Sequence, residues 1–195
     1  MCFLTFYLLA CRAYGRGFLL SGDWGGLEEH HGTGEVRRTG FIVRRARLED
    51  LPAVIGINQV TLPEHYPEWF WREHLEKWGE AFFVAEVEGK IVGYVMSRVE
   101  YGTPLVTRGV IVKRGHIVSI AVLEGYRRRG IGTSLMKAAM EALKSKYGCK
   151  EVYLEVRVSN KPAIRLYEKL GFRIVKTIPM YYLDGEDAYV MAREL

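Results

Sequence analysis

The run Arg127-Arg128-Arg129-Gly130-Ile131-Gly132-Thr133 holds the residue types and order that suit capture of a phosphate group. It follows the apolar segment His116-Ile117-Val118-Ser119-Ile120-Ala121-Val122 and opens a helical pattern from Ser134 to Leu143. At a helix start the N–H groups lack partners, the dipole favours negative charge, and glycine lets a phosphate approach the backbone closely. A ligand bearing phosphate is therefore expected. Two common phosphate loops are excluded. No Lys-Ser or Lys-Thr follows Gly132, as the mononucleotide loop requires, and Leu135 stands where the dinucleotide loop needs its third glycine. Taken alone, the run also reads as an ordinary basic helix cap.

A chain of 195 residues with 49% apolar and 26% charged residues has the length and composition of one folded domain rather than a disordered segment. The net charge of +5 attracts a polyanionic cofactor as readily as nucleic acid. No run of like charge is long enough to form a nucleic-acid arm, so no direct nucleic-acid role is expected. Cys2, Cys11 and Cys149 have neither metal-ligand spacing nor an even count. That fits a reducing, cytoplasmic setting without disulfides and no resident metal. The adjacent His30 and His31 lie in a glycine-rich stretch and read as solvated.

Residues 1–40 differ from the rest. Their charges cancel, and the apolar patch from Met1 to Cys11 is too short to span a bilayer and has no positive residue before it. Three readings are open: a weak membrane or partner anchor, a flexible tail, or a translation start downstream, near Leu27 or Val36. The reading adopted is an N-terminal extension over 1–40 without a membrane role, followed by a catalytic domain over 41–195.

From Phe41 the pattern is regular. Strands are expected at 41–46, at 81–87 and 91–96 as a hairpin around Glu88-Gly89-Lys90, at 116–122, at 151–156, and at 172–175 and 187–191 around Asp184-Gly185. Helices are expected after Leu48, over 66–78, after the phosphate turn to Tyr147-Gly148, and from Asn160 to Gly171. Glu100 to Gly115 reads as a long loop. The strand–helix–strand steps around the phosphate turn predict one parallel pair inside an otherwise antiparallel sheet.

Arg127-x-x-Gly130-x-Gly132, followed by Asn160-x-x-Ala163-x-x-Leu166-Tyr167-x-x-x-Gly171-Phe172, resembles the paired signatures of the Gcn5-related N-acetyltransferase (GNAT) superfamily. Three further segments narrow the likeness: Leu62 to Pro67, Gly115 to Val122, and Tyr181 to Tyr189. They resemble the catalytic subunit of NatA-type protein Nα-acetyltransferases, above all the archaeal single-subunit form, from about Phe41 to Leu195. The resemblance implies an α/β fold with a central mixed, mostly antiparallel sheet, a splayed parallel strand pair and about four flanking helices. It also implies acetyl transfer from acetyl-CoA to the α-amino group of protein N-termini, a monomer, and an option of ribosome association. The alternatives are a GNAT enzyme acting on lysine or a small amine, and an acetyl-CoA-binding module without turnover.

That reaction assigns tasks to residues. The backbone from Arg128 to Thr133 is expected to hold the pyrophosphate, with Arg127, Arg128 and Arg129 adding charge around Gly130, Ile131 and Gly132. By resemblance, Ile120-Ala121-Val122 pairs with the pantetheine arm like an added strand, and Asn160 and Tyr167 lie along it. Asn160 also reads as a plain helix N-cap. A peptide α-amino group has a pKa of about 7.7–8.0, so a weak base, acting directly or through water, suffices. The candidates are Glu64, His116 and Glu155, the last standing where eukaryotic relatives often carry His. Their plainer readings are a strand-end His and a salt-bridged Glu. Tyr167 is the expected proton donor to the departing sulfur, and an N–H near Val122 the polariser of the thioester carbonyl. Tyr66, His116, Tyr181 and Tyr182 are expected to line the acceptor pocket, with small first residues (Ser, Ala, Thr) favoured and Met tolerated. Cys149, at the far end of its helix, is rejected as an acyl carrier.

Overall fold

A computed structural model describes residues 40–195, so the expectations for residues 1–39 lie outside the described residues. Seven strands form one sheet: β1 (Ile42–Arg45), β2 (Phe83–Val87), β3 (Lys90–Gly102), β4 (Val112–Val122), β5 (Glu151–Arg157), β6 (Arg173–Ile178) and β7 (Ala188–Glu194). Four α-helices accompany them among the described residues: α1 (Leu51–Thr61), α2 (Glu68–Trp78), α3 (Ile131–Ser145) and α4 (Lys161–Lys169). The sheet order is β1-β2-β3-β4-β5-β7-β6. Every neighbouring pair is antiparallel except β4 and β5.

The helix boundaries follow local chemistry. Pro52 sits in the first turn of α1, where its missing N–H costs nothing. Asn160 caps α4 by accepting from the Ala163 N–H at 3.2 Å, and Gly171, with φ of 85°, turns the chain out of it. Helix α3 ends as the Cys149 N–H closes onto the Leu143 carbonyl at 3.0 Å, with Gly148 in the left-handed region at φ 68°.

Two apolar layers sandwich the sheet. Ile131, Leu135, Met136, Ala139 and Leu143 of α3 pack with Ile164, Tyr167 and Leu170 at the end of the chain's α4 region against Val95, Ile117, Val152, Leu154 and Val156. On the opposite face Leu51, Val54, Ile57 and Trp71 of α1 and α2 cover Val84, Tyr94, Met96 and Ala121. Strand β5 alternates between these environments: Val152, Leu154 and Val156 face α3, so Tyr153, Glu155 and Arg157 emerge on the other face.

Strands β3 and β4 run further than the sequence pattern implied. The expected loop from Glu100 to Gly115 shrinks to 103–111, because Glu100, Tyr101 and Gly102 pair with Arg114, Lys113 and Val112. Polar and glycine residues there masked a strand made by cross-strand partners. The loop itself is tied down by Glu151, a fully buried carboxylate that accepts from the N–H groups of Leu105, Val106 and Thr107 at 2.9–3.0 Å. No helix among the described residues is long and apolar enough to cross a membrane.

Gly115 marks the tightest approach of α3 to the sheet: a Cβ there would stand 2.5 Å from Leu143 Cδ1. Gly115→Ala is expected to lower stability by about 1–3 kcal/mol through overpacking, measured by thermal or denaturant unfolding.

Candidate active site

Strands β4 and β5 pair through three positions only: Arg114 with Glu151, Gly115 with Val152, and His116 with Tyr153. Past these, β4 continues to Val122 paired only with β3, and β5 continues to Arg157 paired only with β7. The facing edges, from Ile117 in β4 and Leu154 in β5 onward, have no ladder between them. A wedge opens there, lined by main-chain donors and acceptors suited to an extended amide-bearing ligand. Ile120, Ala121 and Val122 lie on its β4 side. Val118 is the extra residue of a bulge in β4, opposite the Met96–Ser97 step of β3.

Past this wedge, β4 leads into the basic glycine turn before α3. Arg127, Arg128, Arg129 and Gly130 are exposed, and Ile131 is the buried anchor that starts α3. Gly130 has φ of 85° and Arg128 φ of 64°, which bend the backbone so that the first N–H groups of α3, from Ile131 to Thr133, face outward. A Cβ at Gly130 would meet no protein atom within 4 Å, so the space beside it is open to a ligand. The arginines divide their work. Arg127 Nε donates to the Val122 carbonyl at 3.0 Å, and Arg129 donates to the Gly125 carbonyl at 3.0 Å while lying over the Tyr126 ring. Both brace the turn, and their charges remain beside it.

On the face away from α3, His116 and Glu155 meet: His116 Nε2 lies 2.7 Å from Glu155 Oε2, with side chains 7% and 16% exposed. The His116 ring stacks flat on Tyr153, centroids 4.4 Å apart. Tyr153 in turn donates to Glu100 Oε1 at 2.6 Å, and Arg114 grips the same carboxylate at 2.8 Å. Burial alone would raise the Glu155 carboxyl, but its contact with His116 and the nearby Arg98 charge outweigh it and hold it below the usual carboxylate range. Glu100 behaves likewise: burial opposes ionisation, and the Tyr153 hydrogen bond and neighbouring positive charges prevail.

Glu64, in the α1–α2 loop, does not join that pair directly. Its Oε1 accepts from Arg157 Nη2 at 2.6 Å. Arg157 also donates to Asp184 at 2.6 Å and Glu186 at 2.9 Å, and its guanidinium lies 3.9 Å from the Tyr182 ring centroid. One side chain thus ties the α1–α2 loop to the β6–β7 loop. Tyr181 packs edge-on against Tyr182 at 5.0 Å, and Tyr66 stacks on Phe70 at 4.7 Å at the head of α2. Burial pushes the Tyr182 phenol upward, and takes Tyr167 up to about 12, so both stay protonated across the working range.

Of the sequence-derived residues, the structure brings His116 to Glu155 and sets Glu64 beside Tyr182 through Arg157. Asn160 caps α4, and Cys149 is buried, its thiol pushed up to about 11 by desolvation. Arg157, Glu100 and Tyr153 were missed. Two-residue periodicity from Glu155 reaches Arg157 and Tyr153, whereas Glu100 falls in a segment whose glycine and proline residues read as a loop. Asn58, 1% exposed, was also missed: its Nδ2 donates to the Glu64 carbonyl at 3.1 Å and to Tyr94 Oη at 3.2 Å, linking the α1–α2 loop to the core. Among the described residues no cluster of three or more His, Cys, Asp or Glu is arranged to hold a metal.

A basic helix-start turn, a parted parallel pair and a polar acceptor face are the attributes of an acyl-CoA-dependent transferase, and residues 47–172 match the acetyltransferase (GNAT) family, to which this chain belongs. Within it, the chain is 58% identical to an N-alpha-acetyltransferase of Sulfurisphaera tokodaii over 80% of this chain and 93% of that protein. Two solved structures agree in fold. Ard1 from Thermoplasma volcanium superposes with a TM-score of 0.69 at 33% identity, covering 80% of this chain and 97% of that one. Arabidopsis thaliana Naa50 in complex with the bisubstrate analogue CoA-Ac-MVNAL gives 0.68 at 27%, covering 80% and 99%.

Because the Glu100 carboxyl lies below its unfolded value of about 4.3, its ionised form stabilises the fold above that pH, and the contribution is lost as pH falls through the folded value. Glu100→Gln is therefore expected to melt below the parent protein at pH 7, with the gap closing below about pH 4 in thermal unfolding series.

Proposed function

We propose that this chain acetylates the free α-amino group of nascent or mature protein N-termini in the cytoplasm, as a monomer, through its domain over residues 41–195. It is an acyltransferase that takes its acetyl group from acetyl-CoA. The observation that carries this reading is the parting of β4 from β5 beyond His116 and Tyr153, directly between the open helix-start turn and a polar face. The kinship to N-alpha-acetyltransferases supports the same acceptor.

The residues divide the chemistry. Outward N–H groups at Gly130 to Thr133 hold the pyrophosphate, with Arg127, Arg128 and Arg129 supplying charge. The free edge of Ile120, Ala121 and Val122 pairs with the amide-bearing arm, aiming the thioester carbonyl at the acceptor face. The amine nitrogen attacks that carbonyl carbon and the carbon–sulfur bond breaks. The amine's proton passes, directly or through water, to the His116–Glu155 pair, and Tyr167 donates a proton to the leaving sulfur. Glu64, Tyr66, Tyr181 and Tyr182 shape the acceptor pocket for a small first residue (Ser, Ala or Thr, with Met tolerated), and Arg157 keeps the two loops that bear them in register. Ribosome association would place this pocket beside emerging chains.

A lysine or polyamine acceptor is disfavoured by the same arginine. Glu64, Asp184 and Glu186 all engage the Arg157 guanidinium, so a cation already occupies the centre of this acidic cluster, where a second ammonium group would have to sit.

Three acceptors separate these readings in a coenzyme-release assay: a Ser-led peptide containing an internal lysine, the same peptide with a blocked terminus, and spermidine. Only the first is expected to turn over, with the label at the terminus by mass spectrometry. Acetylation of the blocked peptide would move the activity to lysine. Gly130→Val, which adds bulk where the phosphate approaches and strains φ, is expected to weaken coenzyme binding by roughly ten-fold or more in calorimetry, a change of about 1.4 kcal/mol or more.

A further inference from the structure

Three buried polar nitrogens lie on the side of the sheet that carries His116. They are His116 Nδ1, Arg98 Nε and His74 Nε2, and each is solvent-inaccessible without a hydrogen-bond partner among the described residues. Their placement follows from the topology. His116 Nε2 turns to β5 to reach Glu155, so Nδ1, on the other side of the ring, faces β3. The β3 residue directly opposite His116 is Arg98. Helix α2 covers this face, and its His74 is 2% exposed and lies within electrostatic reach of Arg98 and His116.

The protonation pattern of the three atoms is determined by their other contacts. His74 Nδ1 lies 2.8 Å from the Phe70 carbonyl, which can only accept, so Nδ1 carries the hydrogen. Burial takes this imidazole down to about 4, which keeps the ring neutral and leaves Nε2 a lone pair. Arg98 Nε is a permanent N–H donor. Glu155 is an ionised acceptor, so His116 Nε2 carries the hydrogen in their contact, and in the neutral ring Nδ1 is a lone pair. One donor and two acceptors remain, which is the complement of a single water molecule.

We propose that a buried water joins Arg98, His74 and His116, and that through it His74 acts as a positioning residue that locks His116 with its Nε2–H toward Glu155. Glu155 is then the end of the pair that receives the substrate proton, and His116 the group that orients it. The relative exposure of the two side chains, 16% for Glu155 and 7% for His116, has the same polarity. This assignment rests on the acetyl-transfer reading for its catalytic meaning, but not for its chemistry.

The test starts with the unaltered protein. Long-range nitrogen–proton NMR of histidine-labelled protein near pH 7.5 is expected to show His116 as the Nε2–H tautomer with Nδ1 accepting, and His74 as the Nδ1–H tautomer. A proton on His116 Nδ1 overturns the proposal, whatever the protein acetylates. Two variants then test the link. His74→Phe, which fills the ring's space but presents no acceptor, is expected to lower kcat roughly ten-fold with the KM values for peptide and acetyl-CoA little changed. His74→Gln, whose amide oxygen reaches the former Nε2 position, is expected to restore most of the loss and to keep the His116 tautomer. Equal kcat values in the two variants overturn the proposal. If His74→Phe does not fold, the tautomer of the parent and the kcat of His74→Gln decide.

Discussion

A β-sheet keeps its interior backbone groups paired by continuing its ladders, and this one breaks that continuity at its centre. Among the described residues, strands β4 and β5 are the only parallel neighbours, and they share three residue pairs before parting. The parting is tolerated because each strand keeps a full antiparallel ladder on its other side, β3 for β4 and β7 for β5. It leaves two facing rows of main-chain polar groups with no ladder between them. Around that gap stand the open glycine turn beyond the end of β4, the His116–Glu155 pair where the shared ladder ends, and the two loops that Arg157 ties together.

The gap needs rigid borders, and the charges supply them on one side. From Arg98 and Glu100 through Arg114 and Tyr153 to His116 and Glu155, a band of coupled polar groups crosses three strands on the face away from α3. Each carboxylate in it would resist ionisation by burial alone, and each is kept charged by a neighbour. Such networks are stiff because losing one member leaves another buried and unpaired. Arg157 repeats the device at the rim, where one guanidinium collects carboxylates from two loops and stacks on Tyr182. These two loops are distant in sequence, and Arg157 bonds to carboxylates of both.

On the other side of the gap, apolar packing does the same work. Helix α3 begins with Ile131 driven into the core while its neighbour Gly130 stays open, so the turn is clamped from below and bare above. Arg127 and Arg129 spend their side chains on carbonyls of their own loop. Basic residues in a phosphate turn are easily read as ligands alone. Here two of the three also act as struts.

The sequence alone determined the order of elements, the open basic glycine turn and the parallel pair, because these depend on local periodicity, turn chemistry and the connection between consecutive segments. It also selected His116 and Glu155 as partners, since strand parity and adjacent strands suffice to place them on one face. Length of β3 and β4 was not legible, because Glu100 to Gly102 join a strand only by virtue of what lies opposite them in β4. Nor was the role of Arg157 or Asn58. Each works by meeting groups that are far away along the chain, and no spacing within a segment encodes a contact between segments. Which charges are paired, which nitrogens are left buried without a mate, and where the sheet comes apart are decided only when the packed layers bring those segments together.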